Sequence, residues 1–226
     1  LRKRSLRPPL LEKMNPFAPA IPSAIPSTTA SPTVAPFSIC VYCGSRLGTK
    51  PGYAALAQAL GTAIGRRGWQ LVYGGGRAGL MGIVSNAALA AGGRVVGVIP
   101  ESLMTLEVGH AGLSELHVVK SMHERKQMMA ERSDAFIAMP GGIGTFEELF
   151  EVWTWRHLGY HQRPMGLLDV EGYWAPMMAF LTHAVAEGFM RSDQMAMLNV
   201  DDDAERLLAA LLTDRSDLTG DDFGHI

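Results

Sequence analysis

From Phe37 onward, short β-branched runs alternate with helix-length segments, and this alternation constrains the fold more than any single residue does. The strand candidates are 38–44 (SICVYCG), 69–75 (WQLVYGG), 94–100 (RVVGVIP), 116–120 (LHVVK), 135–140 (AFIAMP) and 164–170 (PMGLLDV). Between them lie YAALAQALGTAIGRR, GLMGIVSNAALAAG, MHERKQMMAERS, TFEELFEVWTWRHL and YWAPMMAFLTHAVAEG, each with apolar residues at helical spacing. A short MLNV run and a last helix over about 202–212 close the pattern. Parallel strands need a crossover of a dozen or more residues, and each helical segment supplies one. The expected architecture is therefore α/β, with a mostly parallel, doubly wound sheet that carries helices on both faces.

Residues 1–36 differ in kind. They hold eight of the thirteen prolines and show no apolar periodicity, so they are expected to form a disordered tail. The opening LRKRSLR is basic, but no continuous apolar stretch follows, which argues against a signal peptide. The folded domain is expected over 37–213, with a flexible tail over 214–226. At 226 residues and 47% hydrophobic composition, the chain can bury one sizeable core. Its formal charge of −2 offers no basic field for nucleic acid or an anionic membrane. No run approaches the roughly 18 apolar residues of a spanning helix. Cys40 and Cys43, three apart on a strand candidate, point to opposite faces, so they read as buried free thiols suited to a reducing cytoplasm.

Glycine clusters follow three of the strands: Gly44-Ser45-Arg46, then Gly74-Gly75-Gly76-Arg77-Ala78-Gly79, then Pro140-Gly141-Gly142-Ile143-Gly144-Thr145. A glycine loop that feeds a helix N-terminus presents converging backbone N–H groups and the positive end of the helix dipole, which together attract anions. Three such loops at one sheet edge point to a phosphorylated ligand. Gly74, Gly76 and Gly79 also satisfy G-x-G-x-x-G, the dinucleotide fingerprint of Rossmann-like domains. That fingerprint wants an acid at the end of the next strand, and here the nearest is Glu101, beyond Pro100.

Ser121 and Glu124 have capping-box spacing, which starts a helix at Met122 and puts Arg125 and Lys126 in its first turn. Two cations there oppose the helix dipole, so they either reach solvent, pair with Glu124 and Glu131, or serve function. Thr145-Phe146-Glu147-Glu148 has the same spacing, which makes Glu148 a cap, a catalytic group, or both. In the helix that follows, Phe146, Leu149, Phe150 and Trp153 form a core stripe, and Val152, Trp155 and Leu158 are left for a second face, expected to contact a second copy in a homodimer. His157 and His161 are four apart but have no third ligand candidate, so no metal is assigned.

PGGIGTFEE (140–148) and MHERK (122–126) match PGGxGTxxE and MHxRK, and on these motifs the chain resembles the LOG (Lonely Guy) family of cytokinin riboside 5'-monophosphate phosphoribohydrolases. Members of that family have been mislabelled lysine decarboxylases. The resemblance extends from about Ile39 to about Asp193 and takes in VYCGS, YGGGRAGLMG, GVIPESLM and GLLDVEGYW. It implies hydrolysis of the N-glycosidic bond of a nucleoside 5'-monophosphate such as N6-isopentenyl-AMP, with AMP also accepted and no metal or redox cofactor. On the matching positions, Arg125 and Glu148 take the catalytic roles. Glu107, Met122, Lys126, Gly141, Gly142, Ile143, Gly144, Thr145 and Thr154, with Gly44, Ser45 and Gly75 from the earlier loops, would line the nucleotide site. Glu107 lies in a loop, LMTLEVGH, that departs from the usual family pattern, and Arg46 replaces a small polar residue. The residues suit the implied chemistry, because a carboxylate can stabilise the oxocarbenium-like charge that glycosidic cleavage develops. A non-catalytic nucleotide sensor and a dinucleotide-dependent oxidoreductase are the alternatives.

Overall fold

The computed structural model describes residues 36–104 and 109–215. The expected tail over 1–36, apart from Pro36, lies outside them, as do Glu107 and residues 216–226 of the expected C-terminal tail. Seven strands form one sheet: β1 (Ser38–Tyr42), β2 (Gln70–Tyr73), β3 (Arg94–Pro100), β4 (Glu115–Val119), β5 (Ala135–Ala138), β6 (Met165–Leu168) and β7 (Leu198–Asp201). Their spatial order is β4-β3-β2-β1-β5-β6-β7, and every neighbouring pair is parallel. The chain leaves β1 toward β2 and later returns to place β5 on the other side of β1. That reversal makes the β1/β5 boundary the topological switch point, where the carboxyl ends of adjacent strands diverge and a crevice opens.

Period-two alternation along β1 splits the core in two. Ile39 and Val41 face a cluster built with α1 (Pro51–Arg66), α2 (Gly79–Ala90) and α7 (Ala204–Arg215). Cys40 and Tyr42 face the other cluster, shared with α3 (Met122–Glu131), α4 (Ile143–Leu158) and α5 (Ala175–Ala186). Cys40 and Cys43 fall in opposite clusters, both buried and both free. A one-turn helix, α6 (Ser192–Met195), and a 3-10 turn at Glu101–Leu103 have no periodic signal in the sequence. The last helix runs to Arg215, past the expected boundary at 213.

Two readings of α4 need correction. The helix begins at Ile143 with Gly142 as N-cap, and no side chain caps it. Thr145 is therefore inside the first turn, and Glu148 lies in the second turn rather than at the third position of a capping box. The apolar faces are also redistributed. Val152 and Trp155 are buried with Leu149 and Trp153, whereas Phe146 and Phe150 are 36% and 39% exposed. The buried arc centres near Val152, because α4 is apolar on most of its circumference and periodicity alone cannot orient such a helix. Each large apolar side chain buried here contributes about 1.5–3 kcal/mol, enough to fix the helix axis and hence its N-terminus.

Candidate active site

A cavity of about 530 Å³ opens at the β1/β5 switch point, a volume suited to a small organic ligand. The loop after β1 (Gly44 to Gly48) forms one wall, the 140–145 turn and Glu148 form the opposite wall, and Leu80 and Met81 of α2 lie between them. Arg125 enters from α3, while Tyr53 and Tyr173 close the rim.

The 140–145 turn shows what an uncapped helix can offer. The first intrahelical bond of α4 runs from the Phe146 N–H to the Gly142 carbonyl at 3.1 Å. The N–H groups of Ile143, Gly144 and Thr145 precede it, have no acceptor within the helix, and border the cavity. No acidic residue occupies the first turn to compete for the helix dipole. Gly141 is required by close approach: a Cβ there would collide with the Thr145 side chain and come within 2.9 Å of the Gly44 amide nitrogen. Gly44 in turn donates to the Pro140 carbonyl at 3.1 Å, which locks the first and third glycine loops together.

Arg125 is 5% exposed. Its Nε donates to the Val98 carbonyl at 3.1 Å and its Nη2 to the Gly74 carbonyl at 3.2 Å. Nη1 lies 3.7 Å from Glu148 Oε1, and the two side chains are 6% and 11% exposed. Gly74 owes its identity to this arginine, since a Cβ there would run into the guanidinium. The glycine that opens the G-x-G-x-x-G pattern thus makes room for a side chain of the same chain. The α3 cap is as expected on one side: Glu124 N–H donates to Ser121 Oγ at 3.1 Å, while Glu124 Oε2 accepts from the Lys120 N–H at 2.9 Å. The side chain of Glu148 lies above the apolar end of β1. Burial foremost, with smaller contributions from Cys40 and from the charge of Glu148, pushes the Tyr42 hydroxyl well above its ordinary range.

The structure brings Gly44, Ser45, Arg125, Gly141, Gly142, Ile143, Gly144, Thr145 and Glu148 onto one cavity. Four other candidates lie off it. Lys126 ties α3 to α4 through Glu147 and through Glu151 at 2.9 Å; burial opposes its charge, yet the two carboxylates raise its pKa overall. Met122 stands behind the arginine, its Sδ 3.8 Å from Arg125 Nη1. Gly75 adopts φ 77° and its carbonyl accepts from the His110 N–H. Thr154 donates to the Phe150 carbonyl and borders a second, shallower cavity between α4 and α5. His161 is fully buried and holds the Val152 carbonyl at 2.9 Å, which accounts for one of the two histidines. Tyr53 and Tyr173 were not singled out in the sequence. The available signal for Tyr173 is its place just after β6, at the same sheet edge as the glycine loops.

A protein-family model described as "Possible lysine decarboxylase" matches residues 81–211. A cytokinin riboside 5'-monophosphate phosphoribohydrolase of Rhodococcoides fascians is 49% identical over 192 residues, covering 84% of this chain and 96% of that protein. The chain belongs to the cytokinin riboside 5'-monophosphate phosphoribohydrolase family. The Arabidopsis thaliana phosphoribohydrolase LOG1 is 51% identical over 152 residues, covering 67% of this chain and 71% of that one. The decarboxylase wording of the family model is the older label of this same family. In fold, the phosphoribohydrolase chain is similar to a molybdenum cofactor binding protein from Rippkaea orientalis, with TM-score 0.60 at 20% identity, covering 80% of this chain and 98% of that one.

Proposed function

We propose that this protein hydrolyses the N-glycosidic bond of cytokinin riboside 5'-monophosphates, and of AMP, to a free base and ribose 5-phosphate. The observation that carries the proposal is the placement of an uncapped helix terminus and a buried, arginine-paired carboxylate on one cavity. Glu148 follows Thr145 by three residues, about 4.5 Å farther along the helix axis. A nucleotide whose phosphate rests on the first turn therefore brings its anomeric carbon alongside that carboxylate. In this reading the C1'–N bond breaks, water adds to C1', and the departing base takes up a proton. Glu148 stabilises the positive charge on the ribose ring and orients the water. Arg125 keeps Glu148 ionised and aimed, since an opposite charge a few ångströms away favours the carboxylate form.

Two further readings accompany this one. Phe150 and Phe189 (91% exposed) border the α4–α5 cavity, and Leu158 is 58% exposed on α4, so this face is assigned to a second copy of the chain. Among the described residues no helix is long and apolar enough to cross a membrane, and with two buried free thiols the cytoplasm is the proposed location. The test of function is chromatography of products from N6-isopentenyl-AMP, AMP and N6-isopentenyladenosine. Base and ribose 5-phosphate in equal amounts from the monophosphates, with the riboside cleaved far more slowly, is the expected result. Binding of nucleotide without release of base would make the protein a sensor.

A further inference from the structure

We propose that Tyr173 is a positioning residue for the phosphate-binding turn: its hydroxyl fixes the plane of the Gly141–Gly142 peptide and so sets the direction of the backbone donors at the start of α4. The inference rests on the reading that this turn holds the 5'-phosphate.

The Tyr173 hydroxyl donates to the Gly141 carbonyl. In a trans peptide the C=O and the following N–H point in opposite directions, so holding the Gly141 oxygen also orients the Gly142 N–H. That plane needs an external hold. Glycine lies on both sides of it, and a peptide between two glycines rotates with little steric resistance. Gly141 is wedged against Thr145 and Gly44, but a Cβ on Gly142 would meet nothing within 4 Å, so packing does not restrain the second residue. A flip of this peptide would replace a donor by a carbonyl oxygen at the terminus that is to receive an anion.

Tyr173 is itself firmly placed. Its ring stands edge-on to Tyr53 (centroids 5.9 Å apart, 81° between planes) and to Trp174 (5.0 Å, 87°). Its N–H donates to the Val170 carbonyl at 3.2 Å. Two residues earlier, Glu171 adopts φ 55°, a left-handed conformation uncommon for a residue with a Cβ, and its carboxylate is held by Lys50 at 2.8 Å. The loop after β6 is thus pinned to the N-terminus of α1, and the hydroxyl reaches the glycine turn from a fixed base.

Tyr173→Phe removes the hydroxyl and keeps the ring. The experiment measures inhibition of base release from N6-isopentenyl-AMP by inorganic phosphate and by adenine, in the wild type and in Tyr173→Phe. Losing one hydrogen bond that orients the phosphate site should weaken phosphate inhibition and raise KM for the nucleotide by about three- to tenfold. Adenine inhibition and kcat should stay within about twofold, because the ring still packs as before. Phosphate that inhibits both proteins equally would overturn the role of Tyr173 and leave the phosphate site standing. Equal weakening of phosphate and adenine would also overturn it, since that pattern marks a general loosening of the cavity. Phosphate that fails to inhibit even the wild type would overturn the phosphate site itself, and this inference with it.

Discussion

At the residue scale, the structure changes what a conservative substitution at Glu148 should cost. Capping-box spacing predicts that glutamine would be tolerated, because a cap needs only an acceptor. Placed in the second turn beside Arg125, the carboxylate instead neutralises a buried guanidinium. Glu148→Gln is therefore expected to lower unfolding stability by about 1–3 kcal/mol in urea titrations, whereas Glu147→Gln on the exposed side stays within about 0.5 kcal/mol. The buried thiols give a second check. Burial, foremost, pushes Cys40 from the ordinary 9.0 up to about 12 and raises Cys43 further. The fold thus favours the protonated thiol, and that stability is present below pH 9 and lost as pH rises through about 12. At neutral pH an aromatic disulfide reagent should titrate no thiol in the native protein and both in denaturant. Arg125 was visible in the sequence as a cation in the wrong turn of a helix. Its partners were not, since Val98 and Gly74 lie 27 and 51 residues away and supply only backbone carbonyls.

At the scale of the element, α4 shows where local reading succeeds and where it stops. Its existence, its C-terminal end at Gly159 in a left-handed conformation, and its glycine-rich entry follow from the sequence. Its first residue does not, because Ser/Thr-x-x-Glu normally marks an N-terminus, and here the helix starts two residues earlier with its donors left uncapped. The departure falls at the turn assigned to the phosphate, where a side-chain cap would compete with the ligand. The two glycines of the turn should respond differently. Gly141→Ala forces a clash with Thr145 and Gly44 and is expected to lower the thermal midpoint by several degrees, whereas Gly142→Ala enters open space and should shift it by only about a degree. Differential scanning calorimetry of the two variants checks this.

At the scale of the molecule, strand order follows from few rules. Right-handed crossovers and short connections allow a sheet that winds outward in both directions from β1, and the glycine clusters mark its ligand edge. Which face meets another chain was harder to read, because Val152 and Trp155 proved to be core residues and the exposed apolar side chains come from separate segments. If the α4–α5 face joins two copies, Phe189→Glu should reduce the mass found by light scattering from twice the chain mass to one. The central claim is that the charge of Glu148 cleaves a glycosidic bond. Its most direct test is the rate of base release from saturating N6-isopentenyl-AMP by Glu148→Gln, beside the wild type. Removal of a charge that stabilises the transition state predicts a loss of about a hundredfold or more with nucleotide binding retained. A variant that releases base at the wild-type rate would contradict the account.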